Sequence, residues 1–395
     1  MTSYLIRRGF QMAIVVLIAT VAIFGLLNAV PGGPLSGINM SADARNRYSQ
    51  AEIARLEQML GLNKPFYLAY LTWLLGEDWV DEVGEFLGHP GPEDKMFMTG
   101  TWSDFQSPAC QAAGGTNANS ETARRLPCVR GVMRWDWGDS WSLARGQPVT
   151  TVIGSRIQNT IILMATVTVL SLVIAIPIGI ISAVKQYSKL DYAVTTFSFF
   201  GISMPVFWFG LIMIMLFTLQ FQRWGLPYFP SGDVFTTRVM PGSIQAVLGI
   251  TPYTFADRAV HLFLPVIVLT MLYLAGWGRF MRSSMLEVLR QDYVRTARAK
   301  GLLERTVIFK HATRNALIPL ITIVVFQIPG IFGGAILTET IFNYPGMGRL
   351  FIDALGRDDW PIVMAILFIS AILVVFATLV GDILYTVVDP RIRFD

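Results

Sequence analysis

Long uncharged apolar runs alternate with polar stretches along this chain, and the pattern predicts a helical membrane protein. The first run covers residues 10–30, which is long enough to cross a bilayer as a helix. Arg7 and Arg8 precede it, and the run exceeds the apolar core of a signal peptide, so we interpret it as a retained first span. All the runs are continuous rather than alternating, unlike the strands of a membrane β-barrel.

Five further apolar runs predict an all-α integral membrane protein with six transmembrane helices. The later spans are expected at about residues 157–184, 192–221, 260–277, 316–337 and 361–388. The segments assigned to the cytoplasm hold two, two, nine and two Lys or Arg residues, against three and two in the later outside loops. This asymmetry predicts that both termini are cytoplasmic. The chain therefore divides into residues 1–34 with the first helix, an extracytoplasmic domain over 35–156, and a helical core over 157–395.

The extracytoplasmic domain has helical spacing in its first part and an irregular insertion at about 76–134. The insertion is either a surface elaboration or a platform for an external partner. It contains Cys110 and Cys128, for which a disulfide is chemically allowed outside the cytoplasm, although two free thiols are an open alternative. The tryptophan-rich residues 135–141 are expected to lie on the outer membrane surface, with a sugar-binding platform as the alternative.

Composition agrees with this class of protein. Hydrophobic residues make up 53% of the chain, charged residues make up 15%, and the mean hydropathy is +0.52. The pI is about 9.1, but the basic residues cluster at the ends of apolar runs, where the membrane topology explains them. We therefore expect membrane lipid, and no nucleic acid, as a partner.

Catalytic motifs are missing from the sequence. The three histidines cannot form an HExxH site, and no Gly-x-Ser-x-Gly elbow or P-loop lysine is present. We expect a non-catalytic chain with no metal site and no cofactor of its own.

Polar residues within the spans are few. Asp382 is expected near the inner interface, as a solvated end residue rather than a proton relay. Prolines at bilayer depth are tolerated where helices pack or line a cavity. This makes the residues beside Pro205 and Pro329 candidates for lining a translocation path, with helix packing as an equally open interpretation. They are Ser203, Met204, Trp208 and Gln327.

The basic stretch 279–319 is too regular for a simple charged loop. It carries nine Lys or Arg residues against three acids. Good helix formers run over 285–300 and again over 303–317, with Gly301 between them. The stretch predicts two cytoplasmic helices that meet at a glycine and dock a partner.

Several motifs together resemble one known family. Residues 293–302 and 311–319 resemble the EAA loop of binding-protein-dependent ABC importer permeases, in the dipeptide/oligopeptide/nickel branch. Residues 31–34, 60–65 and 339–350 are similar to further motifs of that family. The eponymous Glu-Ala-Ala is Arg-Thr-Ala here, and the insertion is longer than the family's usual domain.

The resemblance implies the type I ABC importer permease fold in the cytoplasmic (inner) membrane. It implies a second homologous permease subunit, two ABC ATPase subunits that hold ATP and Mg, and an extracytoplasmic substrate-binding protein. The coupling helix that docks on the ATPase would include Arg295, Thr296, Ala297, Arg298, Lys300, Gly301, Leu302 and Leu303.

The expected cargo is di- or oligopeptides, with nickel or glutathione as alternatives in the same branch. A membrane receptor or scaffold whose outside domain carries the function is an alternative from another class. An ion-coupled transporter is disfavoured, because the spans lack buried carboxylates for coupling ions.

Overall fold

A computed structural model describes residues 2–28, 66–75, 131–333 and 335–388. Its longer elements are helices, numbered here in chain order. They are α1 (Thr2–Asn28), α2 (Phe66–Leu75), α3 (Val149–Val184), α4 (Lys189–Ser203), α5 (Val206–Ile214), α6 (Ile244–Leu248), α7 (Phe255–Val288), α8 (Asp292–Ala299), α9 (Thr313–Gly333), α10 (Ile336–Ile341), α11 (Met347–Leu355) and α12 (Trp360–Val388). Two six-residue π-helical segments, Met215–Gln220 and Val307–Ala312, follow α5 and precede α9.

Six of the described helical stretches are long and apolar enough to cross a membrane, which confirms the predicted number of spans. They are Arg7–Leu26, Val149–Val184, Val206–Arg223, Phe255–Val288, Glu304–Gln327 and Trp360–Ile383. The described residues form two compact units. Of the described residues, one unit comprises 2–16, 155–333, 335–352 and 369–388, and the other comprises 17–28, 66–75, 131–154 and 353–368.

The first unit is built around α7. Helices α4, α5 and α9 all pack against it. One buried apolar cluster surrounds the first half of α7, and a second surrounds its last turns, where Trp277, Met281 and Met285 meet Ala312 and Ala316. Small residues allow the close approach: a methyl group on Gly201 of α4 would lie 2.8 Å from the Cβ of Ala275.

The third span differs from the single helix predicted over 192–221. Helix α4 starts at Lys189, where the Ser188 side chain accepts a hydrogen bond from the Asp191 N–H, and it ends at Ser203. Met204 and Pro205 are extended, with ψ of 121° and 127°, before α5 begins. Proline disfavours the helical conformation of the preceding residue, which explains the break.

The fourth span is longer than the predicted 260–277, since α7 continues to Val288. The prediction of an unbroken helix over 285–300 was wrong. The chain turns at residues 289–291, and Gln291 is extended with ψ of 148° before α8 starts. This turn lets Val294 and Ala297 of α8 fold back and pack with Val307 against Val288 and Leu289. Burying these apolar groups outweighs the local preference for a continuous helix.

Asp382, expected at a solvated helix end, is paired. Its carboxylate forms an ion pair with Arg8, whose Nη2 lies 2.7 Å from Oδ2 of Asp382. This pair joins the ends of α1 and α12. This contact lies within the first unit.

In the second unit, the tryptophan-rich segment is held by a buried carboxylate. Asp359 has no exposed surface, and it accepts hydrogen bonds from Ser140 Oγ at 2.5 Å and from the Trp141, Ser142 and Leu143 N–H groups at 3.1, 3.0 and 2.8 Å. Trp137 is buried with its ring 5.0 Å from that of Phe368, whereas Trp135 is 71% exposed. The segment is thus folded on the protein and does not present all its tryptophans outward.

Some predicted features lie outside the described residues. They include Cys110 and Cys128, the motifs at 31–34 and 60–65, and most of the insertion at 76–134. The two alternatives for these cysteines, a disulfide and two free thiols, therefore both stay open.

Candidate functional site: the segment between the fourth and fifth spans

Helix α8 has one apolar face and one basic face. Val294 is fully buried and Ala297 is 7% exposed, and both rest in the small cluster with Val307. Arg295, Thr296 and Arg298 lie on the exposed face. The buried face fixes the position of α8 on its own chain, and the basic face is exposed.

Gly301 ends this helix. It has a left-handed φ of 77°, its N–H donates to the Arg298 carbonyl at 2.9 Å, and the Leu302 N–H donates to the Ala297 carbonyl at 3.4 Å. These two bonds form a Schellman motif, in which glycine avoids the strain that a side chain causes at positive φ. The glycine therefore terminates α8 and turns the chain toward the next helical segment.

Seven of the eight predicted coupling residues are exposed. Ala297 is the exception, because it packs within its own chain beside Val294 and Val307. Arg298 is engaged by Glu304, whose carboxylate lies 2.7 Å from its Nη2, across the Gly301 turn. An exposed pair of this kind adds little stability, but it orders the turn.

The exposed surface also contains large apolar side chains. Leu303 is 78% exposed, Phe309 is 65% exposed, and Tyr293 and Leu302 are each more than 40% exposed. Tyr293 and Phe309 were not among the predicted residues, although their positions beside buried Val294 and Val307 follow from helical periodicity. We define the exposed residues Tyr293, Arg295, Thr296, Lys300, Leu302, Leu303 and Phe309 as the coupling surface.

The predicted path residues occupy two places in the first unit. Ser203, Met204 and Trp208 surround the break between α4 and α5, and Trp208 is 49% exposed. Met204 lines a small recess with apolar residues that include Phe200, Val206 and Met271. Gln327 is half-buried on α9. Both sites adjoin α7, and their role in a path stays a prediction.

The loop before the last span is organised by Glu339, which is fully buried. Its carboxylate accepts hydrogen bonds from Thr160 Oγ1 at 2.9 Å and from the Arg349 N–H at 3.0 Å, and Gly348 N–H is a further donor. Thr160 Oγ1 in turn accepts from the Met347 N–H at 2.7 Å. Glu339 thus caps the N-terminus of α11, where free N–H groups favour a negative charge.

A second polar chain ties the same loop to α3 and α7. Asn159 Nδ2 donates to the Pro345 carbonyl at 2.9 Å and its Oδ1 accepts from Arg258 Nη2 at 2.8 Å. The Tyr344 hydroxyl donates to the Asn159 carbonyl at 3.1 Å. The sequence indicates that this loop is a motif, but it does not indicate which residues bond to it.

In the described part of the chain, no group of three or more His, Cys, Asp or Glu residues is placed to hold a metal ion.

The six apolar helices, the broken third span and the exposed basic segment between the fourth and fifth spans define a polytopic membrane protein of the transporter class. Comparison with known families is specific. The chain belongs to the family of binding-protein-dependent transport system inner membrane components, whose family model matches residues 175–394.

Curated relatives match over much or all of the chain. The oligopeptide transport system permease protein AppB of Bacillus subtilis is 36% identical over 394 residues, which is 100% of both chains. The dipeptide transport system permease protein DppB of Escherichia coli is 40% identical over 272 residues, covering 68% of this chain and 80% of that protein. The di/tripeptide transport system permease protein DppB of Pseudomonas aeruginosa is 46% identical over 221 residues, covering 54% and 64%.

Proposed function

We propose that this chain is the permease subunit of an ATP-driven peptide importer and forms half of its translocation pathway. The observation that carries the proposal is the similarity over the full length of both chains to an oligopeptide permease. The relatives described above are named for oligopeptides, dipeptides and di/tripeptides, which favours peptides over nickel or glutathione as cargo.

The other components follow from the family and from what this chain lacks. A second homologous permease completes the pathway, and an extracytoplasmic binding protein delivers the peptide. Two ABC ATPase subunits bind ATP and Mg and carry out hydrolysis, since this sequence has no P-loop. The chain lies in the inner membrane with both termini in the cytoplasm, an orientation supported by its Lys and Arg distribution.

In this mechanism the coupling surface docks on an ATPase subunit. Leu303 and Phe309, 78% and 65% exposed, supply apolar contact, while Arg295 and Lys300 complement acidic groups on the partner. ATP-driven closure of the ATPases then moves α8, and α8 moves α7 through the apolar corner at Val288 and Leu289.

Replacing Gly301 with glutamate tests the docking role. We expect the assembled transporter to reach the membrane but to lose peptide uptake by at least about tenfold, because the new charge and side chain disturb the coupling surface. The measurement is uptake of a labelled tripeptide into proteoliposomes that contain the complete transporter and ATP.

Gly249 provides the matched control. It ends α6 with a φ of 65°, and a Cβ there, as at Gly301, meets nothing within 4 Å. Gly249→Glu therefore carries the same backbone strain, roughly 1 kcal/mol, on a different loop. Normal uptake by Gly301→Glu, or an equal loss in both variants, would contradict docking through this turn.

A further inference from the structure

Asp191 is a buried carboxylate that three segments of the first unit share. It is only 3% exposed. Arg282 donates to it from Nε at 2.6 Å and from Nη2 at 2.9 Å, so each carboxylate oxygen receives one guanidinium N–H. Ser182 Oγ donates at 2.5 Å and the Tyr187 N–H at 2.9 Å. This is the two-pronged arrangement that gives Arg–carboxylate pairs both strength and a fixed geometry.

The four groups come from four different elements. Ser182 stands at the end of α3, Tyr187 in the following loop, Asp191 in the first turn of α4, and Arg282 on α7. Tyr187 has a φ of 64°, a strained value for a tyrosine, which its bond to Asp191 helps to hold. The carboxylate thus joins the α3–α4 hairpin to α7.

Charge and packing both favour a rigid connection between α4 and α7. We call this connection, made by Asp191 with Arg282, Ser182 and Tyr187, the joint. The bonds from Arg282 hold the pKa of Asp191 well below its usual range, despite burial, so the carboxylate is ionised at all physiological pH values. Its contribution to stability is present above the unfolded-state pKa and is lost as the pH falls from there through the lowered folded-state pKa. Close by, a methyl group on Gly179 of α3 would lie 2.7 Å from the Cβ of Met281, so α3 contacts α7 directly.

The joint lies between the coupling surface and the broken third span. Arg282 precedes the end of α7 by six residues, about 9 Å along the helix axis, and the corner to α8 follows. On the other side, α4 leads from Asp191 to the break at Met204 and Pro205. A displacement of α8 therefore has a continuous route through α7 and Arg282 to α4.

We propose that the Arg282–Asp191 pair transmits the movement of α8 to α4, and so couples ATP hydrolysis to the rearrangement of the third span. Both are positioning residues. The inference rests on the proposed function, because it assigns a role within an ATP-driven transport cycle. It concerns the joint alone and is independent of which peptide is carried.

Two conservative variants test it in the complete reconstituted transporter. Asp191→Asn removes the charge, and Arg282→Lys keeps the charge but loses the two-pronged geometry. We expect peptide imported per ATP hydrolysed to fall about tenfold in both, while ATPase activity and the yield of assembled complex stay near wild type. Arg279→Lys is the control, since Arg279 is exposed on the same helix, over the ring of Phe199. It should leave the ratio unchanged.

A second readout does not depend on cargo. Spin labels at positions 192 and 287, in a background with both native cysteines replaced, report the distance between α4 and the end of α7. We expect one narrow distance distribution with and without ATP in wild type, and a broad or ATP-dependent one in Asp191→Asn. The proposed role of the joint would be overturned if the variants showed the wild-type ratio of peptide imported to ATP hydrolysed together with the wild-type distance distribution. Loss of the assembled complex in both variants would also overturn it. Absence of peptide import by wild type would instead overturn the proposed function. The label distances would still test whether the Arg282–Asp191 pair makes α4 move with α7.

Discussion

Glu339→Ala is expected to destabilise the first unit by about 3 kcal/mol or more, since each buried donor left without an acceptor costs about 1–3 kcal/mol. The substitution leaves the Arg349 and Gly348 N–H groups and the Thr160 hydroxyl without their acceptor in a site closed to water. It also opens a space between α10 and α11. The measurement is the apparent melting temperature of the purified protein in detergent, together with its yield from membranes.

Glu339→Gln separates charge from shape. Burial raises the pKa of Glu339 above its usual 4.5, more than its hydrogen bonds lower it. A carboxyl group with a raised folded-state pKa stabilises most below its unfolded pKa, and this contribution falls as the pH rises through the folded-state value. Wild type should therefore lose stability relative to Glu339→Gln as the pH rises above 4.5 through the raised folded-state pKa. Glu287→Gln, at an exposed position on α7, is the control. Equal melting temperatures for Glu339→Ala and Glu287→Ala would refute the capping role.

Asp359→Asn is expected to release the tryptophan-rich segment and to cost about 3 kcal/mol, since hydrogen bonds to a buried charge are lost. In wild type, Ser140 Oγ and three backbone N–H groups donate to the Asp359 carboxylate. In Asp359→Asn, the amide NH₂ group faces some of these donors and cannot accept from them. The release can be measured by limited proteolysis on the C-terminal side of residue 131 and by quenching of tryptophan fluorescence with acrylamide.

The adjacent carboxylate supplies the matched control for this experiment. Asp358 has a φ of 52°, which aspartate and asparagine both tolerate, so Asp358→Asn makes the same chemical change without adding strain. Similar proteolysis of the two variants would show that the buried carboxylate does not hold the segment.

The sequence allowed the spans to be predicted because a run of apolar residues depends only on neighbouring positions. The break at Met204 was signalled by the following proline, yet we still predicted one helix there. The corner after Val288 carried no such signal, since its residues favour helix and only the packing of Val294 and Ala297 overrides them. Local propensity cannot register a contact that forms when the chain folds back.

The buried carboxylates were harder to foresee. Asp191, Glu339 and Asp359 bond to side chains that are 91, 179 and 219 residues away in the chain. Without the fold, each reads as an ordinary polar residue near a helix end. The coupling surface was better predicted, because its basic residues and Gly301 are contiguous and resemble a known loop.

The π-helical segment Val307–Ala312 has a consequence for how α8 and α9 face each other. A π-helical turn takes up one residue more than an α-helical turn, so the extra residue bulges out while the helix on either side keeps its facing. Losing one residue from this segment is therefore expected to leave a regular α-helix in which α9 presents the same side to α7. Losing one residue from the regular α-helical part of α9 would instead turn everything beyond it by about 100°, away from the direction in which the coupling surface points.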